Sequence, residues 1–294
     1  MTAITRRSAR WIGGIAVCGA ATTVALGACG FEEAPADDSD ASTDASSTDR
    51  TADDRPSNDG GNASDAVAPD ALDAKPAPLS CADAGVLMCD DFEQGILPVW
   101  TTIAASTASA TSDSARVHRG SRSLHLHVNA IPTAAYPWIS LHRGTTSLPS
   151  DFFLRVFIYV PNPAPLSDMT LVVLESQPQN YAITFGETAG APSHPYASDF
   201  AHPTQQSATT APRDQWVCRE WGIHTTGVPD AGTREMRVWE NEQELPALHF
   251  TNLKADPLYS VWLQVLFAAP NPQAAVDVYM DDLILDVAPI GCSK

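Results

Sequence analysis

The sequence has few basic residues: 17 Lys and Arg stand against 35 Asp and Glu, which gives its 294 residues a formal net charge of −18. Residues 81–294 alone carry a net charge of about −11. Binding to nucleic-acid phosphates requires a basic surface. The composition therefore argues against nucleic acid as a partner.

Long apolar runs are also scarce, and the one present extends from Trp11 to Leu26. It is shorter than the roughly 20 residues of a transmembrane helix, and Ala, Gly and Thr make it weakly apolar, although an ordinary membrane anchor is the alternative. The basic residues that precede it are Arg6, Arg7 and Arg10. The run ends in Leu-Gly-Ala-Cys at 26–29, and the whole segment resembles a bacterial lipoprotein signal peptide.

This resemblance implies that residues 1–28 are removed and that Cys29 becomes the lipidated N terminus, which anchors the protein in a membrane. Gly30, rather than Asp, after the cysteine implies an outer-membrane lipoprotein that faces the periplasm or the cell surface. Residues 29–80 consist mainly of Ala, Asp, Ser, Thr and Pro. Such a segment buries too little apolar surface to offset its ordering entropy. We expect a disordered acidic tether there, followed by one domain over 81–294.

Four cysteines remain in that domain: Cys81, Cys89, Cys218 and Cys292. Their spacing fits no zinc motif, and an even number in an exported chain indicates two disulfides. Three pairings are possible, and the sequence alone does not choose among them. If the first and last strands were adjacent and antiparallel, Cys292 would lie near Cys81 or Cys89, which would leave Cys218 for the other.

Sustained helical periodicity is absent after Cys81, where short β-rich runs alternate with Pro, Gly, Asn and Asp. Predicted strands lie near 86–93, 122–129, 137–143, 151–160, 169–176, 180–186, 214–223, 233–240, 259–268 and 276–287. In the run 151–160, aliphatic residues alternate with aromatic and cationic ones, so the aliphatic face should enter the core. The pattern predicts an all-β fold, a two-sheet antiparallel sandwich or jelly roll.

Several segments occur in the order typical of one family: Cys89-Asp-Asp-Phe-Glu93, Trp100, the Arg-Gly-Ser-Arg-Ser-Leu step at 119–124, the strand 152–161, Trp216-Val-Cys218 and Tyr279-Met-Asp-Asp-Leu-Ile284. Together they resemble the concanavalin A-like lectin/glucanase jelly rolls, in particular the laminin-G-like and polysaccharide-lyase-like members. The resemblance covers residues 85–290. It implies two curved antiparallel sheets, a concave face that often binds saccharide, and in some members a calcium ion on the convex side.

Catalytic motifs of this family are missing. No Glu-x-Asp-x-Glu strand of the glycoside hydrolases is present, and the acidic cluster 240–244 is expected to be a solvated hairpin turn. The arginine-rich, Gln-Ile-His and Tyr-x-Lys strands of alginate lyases are also not intact. Gln264 lies in a strand of suitable type, but His does not follow it. We therefore predict no catalytic residue.

A binding face is easier to assemble by strand alternation, because aromatic rings stack on sugars and planar polar groups bind hydroxyls. The candidate glycan-binding residues are Arg155, Tyr159, Glu175, Gln177, Glu220, Trp262 and Gln264. The alternative is that they form the ordinary polar exterior of a sheet, with Trp262 covered by a loop.

Two further groups of residues suggest metal binding. Five carboxylates would converge if the first and last strands pair, which favours calcium as a cofactor, although such residues also cap surface strands. They are Asp90, Asp91, Glu93, Asp281 and Asp282. His125 and His127 share one face of a strand and offer transition-metal ligands, but no third ligand is evident and exposed strand polarity is the favoured interpretation.

The resulting hypothesis is a surface-anchored lipoprotein that displays a non-catalytic carbohydrate-binding β-sandwich, with a polysaccharide or glycan as ligand. One alternative is a polysaccharide lyase or glycoside hydrolase with a divergent active site. Another is a structural module of the cell envelope. Turnover of polysaccharides would separate the first two, and glycan binding would separate the first from the third.

Overall fold

In the computed structural model the described residues are 11–12, 15–16, 81, 85–105, 107–132, 137–163, 165–176, 181–199, 202–227, 232–268 and 272–292. Near the N terminus, strands β1 (Trp11–Ile12) and β2 (Ile15–Ala16) pair in antiparallel fashion. Cys29, the predicted tether up to residue 80, the rest of the predicted signal peptide and the candidate Gln177 all lie outside the described residues.

The remainder of the described chain is almost entirely β-structure, with one 3₁₀ turn at Pro246–Leu248. Its strands are, in chain order, β3 (Met88–Asp90), β4 (Thr101–Ala104), β5 (Ala108–Asp113), β6 (Ser123–Val128), β7 (Trp138–Gly144), β8 (Phe152–Tyr159), β9 (Met169–Ser176), β10 (Ala182–Glu187), β11 (Pro195–Asp199), β12 (Gln205–Gln206), β13 (Trp216–Thr226), β14 (Thr233–Glu240), β15 (Gln243–Glu244), β16 (Phe250–Lys254), β17 (Leu258–Phe267) and β18 (Val276–Asp286). No helix in this part of the chain is long and apolar enough to span a membrane.

These strands form two antiparallel sheets. The seven-stranded sheet has the order β12-β11-β10-β9-β17-β7-β4. The nine-stranded sheet has the order β15-β14-β13-β8-β18-β6-β5, with β16 paired to β14 and β3 paired to β18. Neighbouring strands come from distant parts of the chain: β17 lies between β9 and β7, and β18 lies between β8 and β6. The arrangement confirms the predicted two-sheet jelly-roll sandwich.

The hydrophobic core lies between the two sheets, as strand alternation predicted. From β8 it receives Phe152, Leu154, Val156 and Ile158, and from β17 it receives Val261, Leu263, Val265 and Phe267. All eight side chains are at most 2% exposed. Burial of one such side chain contributes roughly 1.5–3 kcal/mol, so these two strands hold the sheets together.

Several strands were not predicted because their sequences lack large alternating apolar residues. Thr-Thr-Ile-Ala in β4 and Ala-Ser-Ala-Thr-Ser-Asp in β5 form the edge of each sheet. The segment 188–213, which has no clear sequence pattern, contains β11 and β12. Pairing to a neighbouring strand, rather than burial of their own side chains, places these segments in the sheets.

The predicted hairpin turn is present, since Asn241 and Glu242 link β14 to β15 with φ angles of 49° and 70°. Glu240, however, is not part of a solvated turn. It is 6% exposed and points between the sheets, where Arg219 donates to it from Nε at 3.2 Å. Arg219 also donates to Glu187 of the seven-stranded sheet at 2.9 Å. This buried ionic group links the two sheets.

The four cysteines form two disulfides, Cys81–Cys89 and Cys218–Cys292. The number was predicted correctly, but the pairing inferred from adjacent terminal strands was wrong. The first strand β3 does pair with β18. Cys292 lies six residues beyond the end of β18, however, and the chain between them turns back across the outer face of the nine-stranded sheet to Cys218 on β13.

Candidate functional site

The outer face of the seven-stranded sheet carries a row of side chains that crosses five strands. Its members are His142, Trp262, Val173, Thr184 and Ser198, each in register with the next. They alternate along their strands with core residues, so they point away from the core. At a strand spacing of about 4.8 Å the row is roughly 19 Å long. We call it the transverse row.

An aromatic pair lies at one end of this row. The imidazole of His142 stacks on the indole of Trp262, with ring centroids 4.4 Å apart and planes inclined by 27°. Trp262 is 6% exposed, whereas His142 is half-buried. Burial lowers the pKa of His142 and so favours its neutral form. The ring that the pair offers to solvent is therefore mainly an uncharged imidazole, with the indole as its support.

Glu175 fixes the position of Trp262 on this face. Its carboxylate Oε2 accepts a hydrogen bond from Trp262 Nε1 at 3.0 Å and one from Ser260 Oγ at 3.4 Å. Burial raises the pKa of Glu175, and these two hydrogen bonds oppose the shift. The face therefore holds a carboxyl group that is easier to protonate than usual beside a histidine that is harder to protonate than usual.

Polar groups continue on both sides of the aromatic pair. Ser140 Oγ donates to Gln264 Oε1 at 3.2 Å, one step along β7 and β17 from His142 and Trp262. At the far end of the row Thr184 Oγ1 lies 2.7 Å from Ser198 Oγ. The side chains are thus short hydroxyls, one amide and one carboxyl around a stacked ring pair. Thr184 and Ser198 are partly exposed, whereas Ser140, Gln264 and Glu175 are at most 7% exposed. Hydroxyl, amide and carboxyl groups are of the kind that binds the hydroxyl groups of a saccharide.

Positive charge is nearly absent from this sheet. Among the residues of its seven strands, Arg143 is the single Lys or Arg. Its guanidinium lies 5.9 Å from the Trp100 ring centroid, and Trp100 belongs to the core. The transverse row therefore has no cationic partner for an acidic ligand within the described strands.

The predicted binding residues do not all share one face. Glu175, Trp262 and Gln264 lie on the outer face of the seven-stranded sheet, but Arg155, Tyr159 and Glu220 lie on the outer face of the nine-stranded sheet. The hydrophobic core separates the two groups. Strand alternation places a residue on a face of its own strand, but it does not say to which sheet the strand belongs.

Arg155 and Glu220 hold the C-terminal segment. Glu220 accepts hydrogen bonds from the backbone N–H groups of Ile290 at 3.1 Å and Gly291 at 2.7 Å, while Arg155 Nη1 donates to the Gly291 carbonyl at 3.1 Å. Both side chains are at most 5% exposed, and burial raises the pKa of Glu220. Tyr159 is 8% exposed and packs edge-on against Trp216.

The five carboxylates of the predicted calcium site accept hydrogen bonds from nearby groups. Asp90 accepts from Trp100 Nε1 at 2.6 Å, and Glu93 accepts from the backbone N–H groups of Ser121 and Arg122 at 2.7 and 2.9 Å. Burial, reinforced by neighbouring Asp282, raises the pKa of Asp281 to about 7. Calcium binding by Asp90, Asp91, Glu93, Asp281 and Asp282 stays a prediction.

His142 and the hydroxyl residues of the row were missed by the sequence analysis. The run Ile139-Ser-Leu-His142 does alternate, which was a usable signal for an outward histidine. Thr184 and Ser198 carried none, because hydroxyl residues are common on any strand surface. The residues of the row become neighbours only because the strands β11, β10, β9, β17 and β7 lie side by side in this order.

No family profile matches the chain, and no curated protein does. Solved structures with this fold include the cellulose-induced protein Cip1, which is 16% identical and superposes with a TM-score of 0.55 over 70% of this chain and 100% of Cip1. The endo-β-1,4-glucuronan lyase of the fungus Trichoderma reesei is 8% identical, with a TM-score of 0.54 over 69% of this chain and 96% of the lyase. At these identities the similarity establishes the jelly-roll fold and nothing beyond it.

Proposed function

We propose that the chain binds a polysaccharide on the outer face of the seven-stranded sheet, with the transverse row as the floor of the site. The observation that carries this proposal is the stacked pair of His142 and Trp262, flanked by Glu175, Gln264 and hydroxyl residues. These polar side chains hydrogen-bond to one another on this outer face. Two structures with the same fold are named for cellulose and glucuronan, which supports a polysaccharide as the class of ligand.

The charge of the face argues for a neutral polysaccharide. Acidic polysaccharides carry a carboxylate on each uronic residue and require cationic partners to offset its desolvation. The described strands of this sheet place no Lys or Arg beside the row. Glu175 adds a carboxyl group that would repel an anionic ligand when ionised. Hydroxyl-rich chains such as cellulose or xylan meet neither obstacle.

Affinity for immobilised polysaccharides tests the proposal with His142→Ala. Because the half-exposed imidazole provides the ring surface, we expect its removal to weaken binding of a neutral polysaccharide at least tenfold, which corresponds to about 1.4 kcal/mol. The melting temperature should change little, since Trp262 stays hydrogen-bonded to Glu175. The matched control is His249→Ala, a half-buried histidine paired with Glu235 on the other sheet.

Three results would contradict the proposal: no binding to any neutral polysaccharide, an equal loss in both histidine variants, or selective binding of an acidic polysaccharide. The variant Trp262→Phe separates support from contact, because it keeps a ring but loses the donor to Glu175. We expect a smaller loss of affinity for this variant than for His142→Ala.

A lyase is the second candidate, and one observation favours it. His142 and Glu175, whose pKa values are shifted in opposite directions, lie on either side of Trp262 on one face. Such pairs of groups often occur at active sites. Eliminative cleavage of a uronic polysaccharide creates a double bond that absorbs in the ultraviolet. An absorbance increase that His142→Ala abolishes would establish the lyase instead of the binding protein.

We also propose that the domain is tethered to the outer membrane through a lipid on Cys29. Support comes from the sequence: three arginines, an apolar run and Leu-Gly-Ala-Cys. Only a thiol accepts the diacylglyceryl group, so Cys29→Ser should abolish incorporation of a radiolabelled fatty acid in cells. Equal labelling of mutant and wild type would disprove the anchor without affecting the proposed binding face.

A further inference from the structure

Two histidines and an aspartate converge on the outer face of the nine-stranded sheet, on the side of the sandwich opposite the transverse row. His125 and His127 are next-but-one residues of β6, so both point outward, and Asp277 lies opposite His127 on β18. Their ligand atoms all lie within 4.8 Å of one another. Among the described residues, this is the one group of three His, Cys, Asp or Glu side chains with that geometry.

We propose that His125, His127 and Asp277 bind a divalent first-row transition metal of the zinc and copper class. In the structure His125 Nε2 and His127 Nδ1 each lie 2.7 Å from Asp277 Oδ1. Bonds of about 2.0–2.2 Å to a tetrahedral metal place its ligand atoms roughly 3.3 Å apart. Each imidazole nitrogen therefore needs to lie roughly half an ångström farther from Asp277 Oδ1 than it does now, and the partly exposed side chains leave room for that change.

The far nitrogen of each imidazole also has an acceptor. His125 Nδ1 lies 3.3 Å from Asp113 Oδ2 on β5, and His127 Nε2 lies 3.0 Å from Asn129 Oδ1. A metal-bound histidine carries its hydrogen on the far nitrogen, and in most protein sites that hydrogen is donated to a carboxylate or carbonyl oxygen. Both histidines here have such a partner. This outer shell holds the near nitrogen of each ring as the ligand.

Packing further restricts one of the rings. Tyr279 stacks on His125 with centroids 4.3 Å apart and planes inclined by 8°. The phenol ring keeps the imidazole plane aligned so that Nε2 points toward Asp277. A ligand held in its binding orientation loses less conformational entropy when the metal binds.

The donor set selects the class of metal. Two imidazoles and one carboxylate suit zinc, copper and nickel, whereas calcium and magnesium require mainly oxygen ligands. Asp113 and Asp277 together supply the two negative charges that balance a divalent ion. The side chains of His125, His127 and Asp277 are 18%, 30% and 37% exposed. Water can therefore complete the coordination from the solvent side.

Calorimetry on the purified full chain, freed of metal with a chelator, tests the proposal with Zn²⁺ and Cu²⁺ as separate probes. We expect one ion per chain and at least a 100-fold loss of affinity in His127→Gln. Asp113→Asn should lose 10- to 100-fold, the effect typical of an outer-shell partner. His249→Gln is the matched control, because His249 is 31% exposed and pairs with one carboxylate at 2.9 Å. This variant should bind the metal ion as tightly as the wild type does.

Paramagnetic resonance of the Cu²⁺ complex provides a readout that a general loss of structure would not reproduce. The wild type should show coupling to two imidazole nitrogens, and His127→Gln should show coupling to one. Asn129→Ala, at an exposed position outside the strand, serves as a second variant that keeps the fold and weakens binding. Absence of binding, two-nitrogen coupling that survives in His127→Gln, or an equal loss in His249→Gln would each overturn the proposal.

Discussion

Removal of the Cys218–Cys292 disulfide should cost more stability than removal of Cys81–Cys89, because it closes a much longer loop. The two bridges join residues 74 and eight positions apart. A cross-link restricts the unfolded chain by an entropy that grows with the logarithm of loop length. At 25 °C this relation gives about 4.5 kcal/mol for the long loop and about 2.5 kcal/mol for the short loop.

The test compares two double variants, Cys218→Ala with Cys292→Ala and Cys81→Ala with Cys89→Ala, by urea denaturation without reductant. The long-loop variant should lose about 2 kcal/mol more than the short-loop variant. Its denaturant slope should also increase, because an unfolded chain without the cross-link exposes more surface. For a domain of about 200 residues, the loss of about 4.5 kcal/mol in the long-loop variant corresponds to a fall in melting temperature of roughly 9–18 °C relative to the wild type.

A second contribution should add to the long-loop variant. The segment that ends in Cys292 covers Phe153 and Ile284 with Ile290, which is fully buried. Removal of the disulfide frees one end of this segment, so its packing against the sheet is weakened in addition to the loss of the cross-link. Equal costs for the two variants, or a larger cost for the short loop, would refute the loop-entropy reasoning.

Three other substitutions test the packing of the sandwich. Arg219→Ala should cost about 3–5 kcal/mol in urea denaturation, because buried Glu240 loses the cation it pairs with, while Glu187 keeps its ion pair with Arg213. Arg122→Ala on the surface should cost almost nothing. Gly186→Ala should cost roughly 1–3 kcal/mol, since its Cβ would lie 2.1 Å from a backbone carbonyl of the neighbouring strand, and Gly144→Ala, with no contact closer than 3.9 Å, is the control. Burial raises the pKa of Glu175 above its unfolded value of 4.5, so the contribution of Glu175 to the free energy of unfolding is complete below pH 4.5 and decreases as the pH rises through the folded pKa. Glu175→Gln should remove this decrease. Equal pH profiles of stability for the variant and the wild type would contradict the reasoning.

Several charged residues that resemble a binding site in the sequence have a structural role in the buried ionic group or at the C-terminal segment. Arg155, Glu220 and Glu240 have the composition of a binding site, but each is satisfied by a partner from the same chain. The candidate site instead consists mainly of neutral side chains. The strands that carry these side chains are held in place by the hydrophobic core beneath them.

Strand alternation and the number of cysteines were determined by the amino-acid sequence. An apolar side chain at every second position of β8 and β17 has one stable orientation, toward the core, because the alternative exposes it to water. The two-sheet architecture follows from the number of such strands and the absence of helical periodicity. The hairpin at Asn241 and Glu242 was also recognisable, because polar residues interrupt two β-rich runs there.

Only the tertiary structure decided which strands are neighbours, and every functional grouping depends on that. Trp262 meets His142 because β17 pairs with β7, and His127 meets Asp277, 150 residues away, because β6 pairs with β18. Cys292 meets Cys218, rather than a cysteine near β3, because the segment after β18 folds back over the nine-stranded sheet. Local sequence sets the face on which a side chain lies. Long-range pairing, driven by burial of the core between two sheets, sets what that side chain can contact.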